Sequence, residues 1–335
     1  MTAKLVRITA AAFWLLLFPP GAGTQGNPPN RELGEVATKR AATEPLRVVV
    51  IGDFGYAGKN SGQKEVSDRV RTVHRERPFH LGLTVGDNFY EHGVASLTDP
   101  HWKLSWHDHY DALGFPFYAT LGNHDYGGNV QAQIDYTLAP QNAARSWAMP
   151  ANYYAFTAGP VRFFALDTDE GTFGYLRRFF RRTPWSAEQR DWLRAQLARP
   201  SEAAWTIVYG HHPVFSASHH GDTTRLKDPQ RGLLPLLEQY NVDVYIAGHE
   251  HDMQYIPRNG VQYFIAGGGG KDTRRVPRVE PPACAVEAHG FLALEATRER
   301  LVLRLIGADG RDVCPPVTCT RSAPGARATC TAAAP

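Results

Sequence analysis

Runs of apolar, β-branched residues that stop abruptly at glycine punctuate this chain. Leu46–Ile51 ends at Gly52-Asp53, Phe79–Val85 at Gly86-Asp87, and Phe115–Thr120 at Leu121-Gly122-Asn123. Short apolar runs bounded by turn residues read as buried strands. Gln63–Arg77 is charged with spaced apolar positions and predicts a surface helix. Strands alternating with helical stretches predict an α/β architecture for this half.

The second half carries more strand. Tyr153–Thr157 and Val161–Asp167 flank the turn Ala158-Gly159-Pro160. Ala187–Leu197 predicts a helix with Trp192, Leu193 and Leu197 on its apolar side, and Gly232–Tyr240 predicts another. Trp205–Tyr209 runs into Gly210-His211, and Val242–Ala247 into Gly248-His249. Gln254–Pro257, Val261–Ala266, Gly290–Glu295 and Leu301–Ile306 predict consecutive antiparallel strands.

The ends read differently. Lys4 and Arg7 precede the apolar run Ile8–Phe18, and Pro19, Pro20 and Gly21–Gly23 follow it, the pattern of a cleaved export signal over residues 1–23. Eleven residues are too few to cross a bilayer, which needs ~20, so no stable membrane insertion is expected. Thr24–Glu44 is polar and reads as a flexible linker. Cys284, Cys314, Cys319 and Cys330 all lie in the last 52 residues without a C-x-x-C pair. In an exported protein they predict two disulfides, with three connectivities open, and residues 309–335 read as an irregular Cys/Pro-rich tail stapled back to the domain.

Composition narrows the partners. With 335 residues, 43% hydrophobic, the chain can bury a large core, and disorder throughout is excluded. A net charge of +3 does not suggest a nucleic-acid binder, although it suits an anionic substrate. Oligomeric state is not legible.

Five of the predicted strands end in a glycine followed by a residue able to bind a metal. The clusters are Gly52-Asp53-Phe54-Gly55, Gly86-Asp87-Asn88-Phe89-Tyr90, Gly122-Asn123-His124-Asp125, Gly210-His211-His212-Pro213 and Gly248-His249-Glu250-His251. In an open α/β sheet, ligands collect beyond the carboxyl ends of the strands. Oxygen and imidazole donors without thiolate suit iron, zinc or manganese rather than a structural zinc site. A carboxylate able to bridge would hold two metals ~3.5–4 Å apart, which implies phosphoester hydrolysis by a metal-activated hydroxide without a protein nucleophile.

This ordered set of motifs resembles the calcineurin-like metallophosphoesterase superfamily. Asp53-Phe54-Gly55 in place of Asp-x-His, with Tyr90 three residues after Asp87, resembles the purple acid phosphatases. Gly86–Tyr90, Leu121–Asp125 followed by Gly128-Asn129-Val130, Phe164–Thr168 and Gly210–Val214 are most similar to the small mammalian, tartrate-resistant type. The likeness runs from about Leu46 to Gly307. It implies an α/β fold, a four-layer α/β/β/α sandwich of two mixed sheets flanked by helices, with residues 45–308 as the catalytic domain.

The resemblance also implies roles. Asp53, Asp87, Tyr90 and His251 would bind a ferric ion. Asp87, Asn123, His211 and His249 would bind a divalent partner, iron or zinc, with manganese as an alternative. A phenolate is a hard anionic donor suited to a trivalent ion, and Tyr90 supplies what the first motif lacks. His124 and His220 would be the catalytic groups facing the phosphate and the leaving group, with Asp125 orienting His124. His220 is preferred to its neighbour His219 because it lies nine residues after His211 and directly precedes Gly221, as in the pattern of the family it resembles, and His212 is not expected to be a ligand.

The expected activity is therefore that of a secreted or periplasmic acid phosphatase acting on phosphate monoesters. Between Asp169 and Ser186 the chain departs from the family pattern. Arg177, Arg178, Arg181 and Arg182 make a basic segment that is either a solvated loop or a lid attracting phosphoproteins and other polyanions. The rival enzyme reading is a phosphodiesterase acting on cyclic nucleotides or nucleic acid, against which Tyr90 argues. A secreted non-catalytic binding protein would require ligands to be missing from the set, and none is.

Overall fold

β-Branched and aliphatic residues buried on both faces build the centre of the molecule. The run Leu46–Ile51 is below the surface at every position but Arg47, as a strand covered on both sides must be. The computed structural model describes residues 30–36, 38, 44–56, 61–169, 185–277, 279, 283–322 and 326–333. The expected signal segment 1–23 and the arginines of segment 170–184 lie outside the described residues.

In chain order the described strands are β1 Asn30–Glu35, β2 Leu46–Ile51, β3 Leu81–Val85, β4 Phe117–Thr120, β5 Trp147–Ala148, β6 Tyr153–Ala158, β7 Val161–Ala165 and β8 Trp205–Tyr209. Then come β9 Val244–Ala247, β10 Met253–Arg258, β11 Val261–Ala266, β12 Cys284–Val286, β13 Gly290–Ala296, β14 Arg300–Gly307, β15 Val317–Thr320 and β16 Thr329–Ala332. One sheet has the order β1-β6-β7-β8-β9-β11-β10-β12, and the other β16-β15-β14-β13-β2-β3-β4-β5. Both are mixed: β2, β3 and β4 run parallel, as do β7, β8 and β9, whereas β13 is antiparallel to β2 and β10 to β11.

The sheets pack face to face. Tyr154 Oη donates to Ala119 O at 2.8 Å and Tyr209 Oη to Tyr118 O at 3.2 Å, so buried phenols of one sheet tie down β4 of the other. Phe156, Phe163 and Ile246 share one continuous core with Val48, Leu83 and Leu292. Each such side chain contributes about 1.5–3 kcal/mol by leaving water. Outside, the helix Gln63–Glu76 buries Val66 and Val70, four residues apart on one face. On the far side, the helices Ala187–Leu197 and Leu234–Gln239 place Leu193, Leu236 and Leu237 against Phe164 and Val208. Ser186 caps the first of these by accepting from Gln189 N. The result is the α/β/β/α layering that the resemblance implied.

Several expectations need correction. Asn30–Glu35, within the supposed linker, is an edge strand parallel to β6. An edge strand is held by its backbone and needs no apolar pattern, so polarity misled the reading. The tail is not irregular throughout: β15 pairs with β14 and β16 with β15, because the free edge of β14 offers unpaired backbone groups. The four consecutive strands are two hairpins in different sheets: β11 joins β9, and β13 joins β2. The helical run from Trp102 to Leu113 was missed, although Trp102, Trp106, Tyr110 and Leu113 recur at helical spacing and are buried. The cysteines form two disulfides, Cys284–Cys314 and Cys319–Cys330.

Candidate dinuclear metal centre

The carboxyl ends of β2, β3 and β4 lie side by side in one sheet, and those of β8 and β9 in the other. The next residues are Asp53, Asp87, Asn123, His211 and His249. Asp53, Asp87 and His249 have φ of 56°, 50° and 70°, left-handed values that cost a non-glycine residue roughly 1–2 kcal/mol. Three donors from three loops all hold this conformation. Gly86, at φ +84°, turns the chain so that Asp87 points back over the sheet edge.

Two groups of donor atoms result. Tyr90 Oη lies 3.1 Å from Asp53 Oδ1, 3.0 Å from Asp87 Oδ2 and 3.2 Å from His251 Nε2. Asn123 Oδ1 lies 3.1 Å from both His211 Nε2 and His249 Nδ1, which are 3.2 Å apart. Asp87 faces both groups: Oδ2 is turned to Tyr90, while Oδ1 is 3.5 Å from His211 Nε2. All seven of these side chains are thus brought together, in two groups that meet at Asp87.

These atoms fit two cations, and the proton count shows why. His211 Nδ1 is 2.9 Å from Val85 O and His251 Nδ1 is 2.9 Å from Asp272 O. A carbonyl only accepts, so each Nδ1 carries the hydrogen and each Nε2 turns a lone pair inward. Tyr90 has one hydroxyl proton for three close acceptors, and the Asn123 oxygen meets the His211 lone pair with no proton between them. Crowded lone pairs at hydrogen-bond distance with too few hydrogens are what metal ions satisfy. Edges of ~3 Å are also those expected between ligands ~2.1 Å from a shared ion.

Electrostatics agrees. Asp53 is held well above the ordinary carboxylate range by burial and then by the neighbouring Asp87 charge. Burial raises Asp87 too, and it pushes the Tyr90 phenol well above its usual value. Burial drives His211 and His251 down to about 3 and His249 well below its usual value, so these imidazoles are neutral, the form that binds metal. Bound cations would reverse the sign of the penalty on the two carboxylates.

The remaining expected residues lie around these groups. His124 packs on the Tyr90 ring, centroids 4.4 Å apart, and donates from its main-chain N to Asp87 Oδ1 at 2.8 Å. Its Nδ1 is 2.7 Å from Glu91 O, which makes that carbonyl the atom orienting the ring. Asp125 was expected in that role, and its carboxylate is occupied elsewhere. It accepts from Asn88 N, Gly122 N and Gln133 Nε2, because these buried donors need an anion more than the half-exposed imidazole does. Asp125 therefore ties the loops after β3 and β4 together. His220, exposed like its neighbour His219, stands with its ring 4.4 Å from that of His249. His212, not expected as a ligand, is buried beside His211 and His249 and offers a nitrogen within 4.8 Å of theirs. Its Nδ1 is 3.4 Å from Thr168 Oγ1.

Sequence reasoning gave no role to Glu250 or Lys271. Lys271 Nζ sits 5.0 Å above the Tyr90 ring centroid and pairs with Glu91 Oε1 at 2.5 Å. No spacing rule flags such residues. A glutamate between two histidines expected as ligands was the only available signal for Glu250.

Residues 46–253 match the family model described as calcineurin-like phosphoesterase. The chain is 32% identical over 286 residues to purple acid phosphatase 4 of Arabidopsis thaliana, covering 80% of this chain and 82% of that one. It is 30% identical over 306 residues to human tartrate-resistant acid phosphatase type 5, covering 81% and 90%. Among solved structures it is similar to GAP50, described as the anchor in the inner membrane complex of Plasmodium. That match has a TM-score of 0.67 at 23% identity, covering 82% of this chain and 88% of GAP50. The purple acid phosphatase PPD1 of yellow lupin is similar at TM-score 0.61 and 17% identity, covering 86% and 56%. These two likenesses concern the fold alone, and a fold shared by an anchor and a phosphatase leaves activity to the site residues.

Proposed function

We propose, given that this chain belongs to the calcineurin-like phosphoesterases as a purple acid phosphatase, that it hydrolyses phosphate monoesters at the paired donor groups around Asp87. The observation carrying this is the two-sided Asp87 carboxylate, one oxygen turned to Tyr90 and the other to His211. Asp53, Asp87, Tyr90 and His251 would hold ferric iron. Asp87, Asn123, His211 and His249 would hold a divalent ion, iron or zinc, with manganese as the alternative. Two adjacent cations supply Lewis acidity, lowering the pKa of water and neutralising charge on a phosphoryl group.

The chain's own residues do the rest. His124, held by Glu91 O and by the Tyr90 ring, has Nε2 3.9 Å from Asp87 Oδ2, and from there its imidazole would donate to a phosphoryl oxygen. His220, its ring 4.4 Å from that of His249, would give a proton to the departing alkoxide. Asp125 keeps the Asn123-His124 loop in register with the loop after β3. Small phosphomonoesters are the substrates in this reading. The arginines of segment 170–184 would add attraction for phosphoproteins and polyanions, and activity on such substrates would then fall steeply with salt. The Lys4–Gly23 pattern and the two disulfides support export, with maturation near Gly23. Among the described residues no helix is long and apolar enough to cross a membrane.

Metal analysis of the purified protein with its visible spectrum, alongside p-nitrophenyl phosphate hydrolysis, tests the proposal. Two metals per chain, one of them iron, with a violet band and turnover are expected. A colourless oxidised iron form would remove Tyr90 from the ligand set and leave a generic dinuclear phosphoesterase.

A further inference from the structure

We propose that Glu250 is a positioning residue that fixes His220 over the metal-ligand turn, with Arg274 as its counter-charge. The inference rests on the phosphatase reading above and adds a residue to it. Glu250 lies between His249 and His251 in sequence and is fully buried. Its Oε1 accepts from His220 N at 2.8 Å, and its Oε2 is 3.2 Å from His220 Nδ1. One carboxylate thus grips the backbone and the ring of the same histidine.

A buried carboxylate needs compensation. Arg274 supplies it, with Nη1 3.6 Å from Glu250 Oε2 and 2.9 Å from His220 Nδ1. The same Nη1 donates to His249 O at 3.2 Å, and Arg274 N donates to His251 O at 3.1 Å. Arg274 is therefore locked to both ligating residues, and Glu250 joins that turn to the segment bearing His220.

The segment needs such an anchor. Residues 210–223 contain no helix or strand, Gly221 has φ +68°, and the His220 side chain is 38% exposed. Gln254 Oε1 accepts from Ala217 N, and Asp222 Oδ1 from Ser216 N, but neither touches the His220 ring. Without Glu250 the ring would regain its rotamers, and a displacement of ~1 Å at a reacting group costs on the order of 100-fold in rate. Glu250, with Arg274 as its counter-charge, ties His220 to the His249–His251 turn.

The test compares an alkyl phosphate with p-nitrophenyl phosphate, whose leaving group departs without a proton. In Glu250→Ala, metal content and visible spectrum should match wild type. kcat on the alkyl ester should fall about 100-fold, with kcat on the aryl ester down only a few-fold and KM little changed. Glu250→Gln, which keeps an acceptor for His220 N, should recover part of the loss. Equal losses on both esters, unchanged kinetics, or metal loss in Glu250→Gln would each overturn the role, the last by assigning Glu250 to holding the ligand turn. A wild type that binds two metals yet hydrolyses neither ester would instead refute the phosphatase reading itself, and the role of Glu250 with it.

Discussion

Replacing Gly122 by alanine would press directly on the carboxylate that faces both donor groups. A Cβ at position 122 would lie 2.2 Å from Asp87 Oδ1 and 2.3 Å from the Asp87 main-chain nitrogen. Contacts of this kind are comfortable at ~3.5 Å, so the overlap exceeds ~1 Å. The nitrogen belongs to the backbone, and Oδ1 is held by His124 N at 2.8 Å. Relief must separate the loops after β3 and β4 or swing the Asp87 carboxylate out of line. Overpacking of this size costs about 1–3 kcal/mol, or ~2–10 °C in Tm for a domain this large. The site is less forgiving than the fold: a constellation tolerates ~0.5 Å, and a ~1 Å shift costs on the order of 100-fold. Gly122→Ala should therefore stay folded while kcat/KM falls about 100-fold and metal content drops. Gly114→Ala is the control, because its φ of +73° carries strain while nothing lies within 4 Å of the added Cβ. It should lose about 1 kcal/mol of stability and no activity. Calorimetry, metal analysis and kcat/KM for p-nitrophenyl phosphate read both variants. Full metal content and wild-type kcat/KM in Gly122→Ala would refute the reasoning.

Tyr90→Phe should remove the visible band of the iron-loaded protein while some hydrolysis survives, since Asp53, Asp87 and His251 remain; a retained band in the absorption spectrum would take Tyr90 out of the ligand set. His124→Ala should keep metals and colour but lower kcat by about 10²–10⁴-fold, as for a group acting on the phosphoryl oxygens, and steady-state kinetics with metal analysis would check it. Burial raises the Asp167 carboxyl to about 7, with Tyr126 Oη donating to it. Its unfolded value is ~3.9, so between these pH values the folded state binds more protons and stability falls as pH rises through the window. That contribution is at most on the order of 4 kcal/mol. Asp167→Asn should flatten the pH dependence of thermal unfolding over ~4–7, and an unchanged slope would show that Asp167 is ionised throughout.

Much of the fold follows from local pattern. β2, β3, β4, β8 and β9 are apolar runs cut off at glycine, and each was readable because strands buried on both faces must be apolar along their length. The elements that escaped notice are held by other forces. β1 is a polar edge strand secured through its backbone to β6, and β15 and β16 lean on the open edge of β14. Strand partners outran local pattern too: β10 with β11 and β13 with β14 look alike in sequence and belong to different sheets.

The site divides the same way. Residue type at the strand ends picked out the clusters of candidate donors, because chemistry restricts which side chains can hold a cation and strand ends restrict where they stand, and the family resemblance implied which seven would do so. Which donor atoms face one another, and which groups steer the histidines, had no sequence signature. Glu91 offers His124 a main-chain carbonyl that every residue possesses, and Asp125 turned to the Asn88 and Gly122 amides instead. Glu250 meets His220 across 30 residues of chain, and Arg274 reaches His220 across 54. Contacts between loops so far apart in sequence come from the packing of two sheets, and only the tertiary structure decides them.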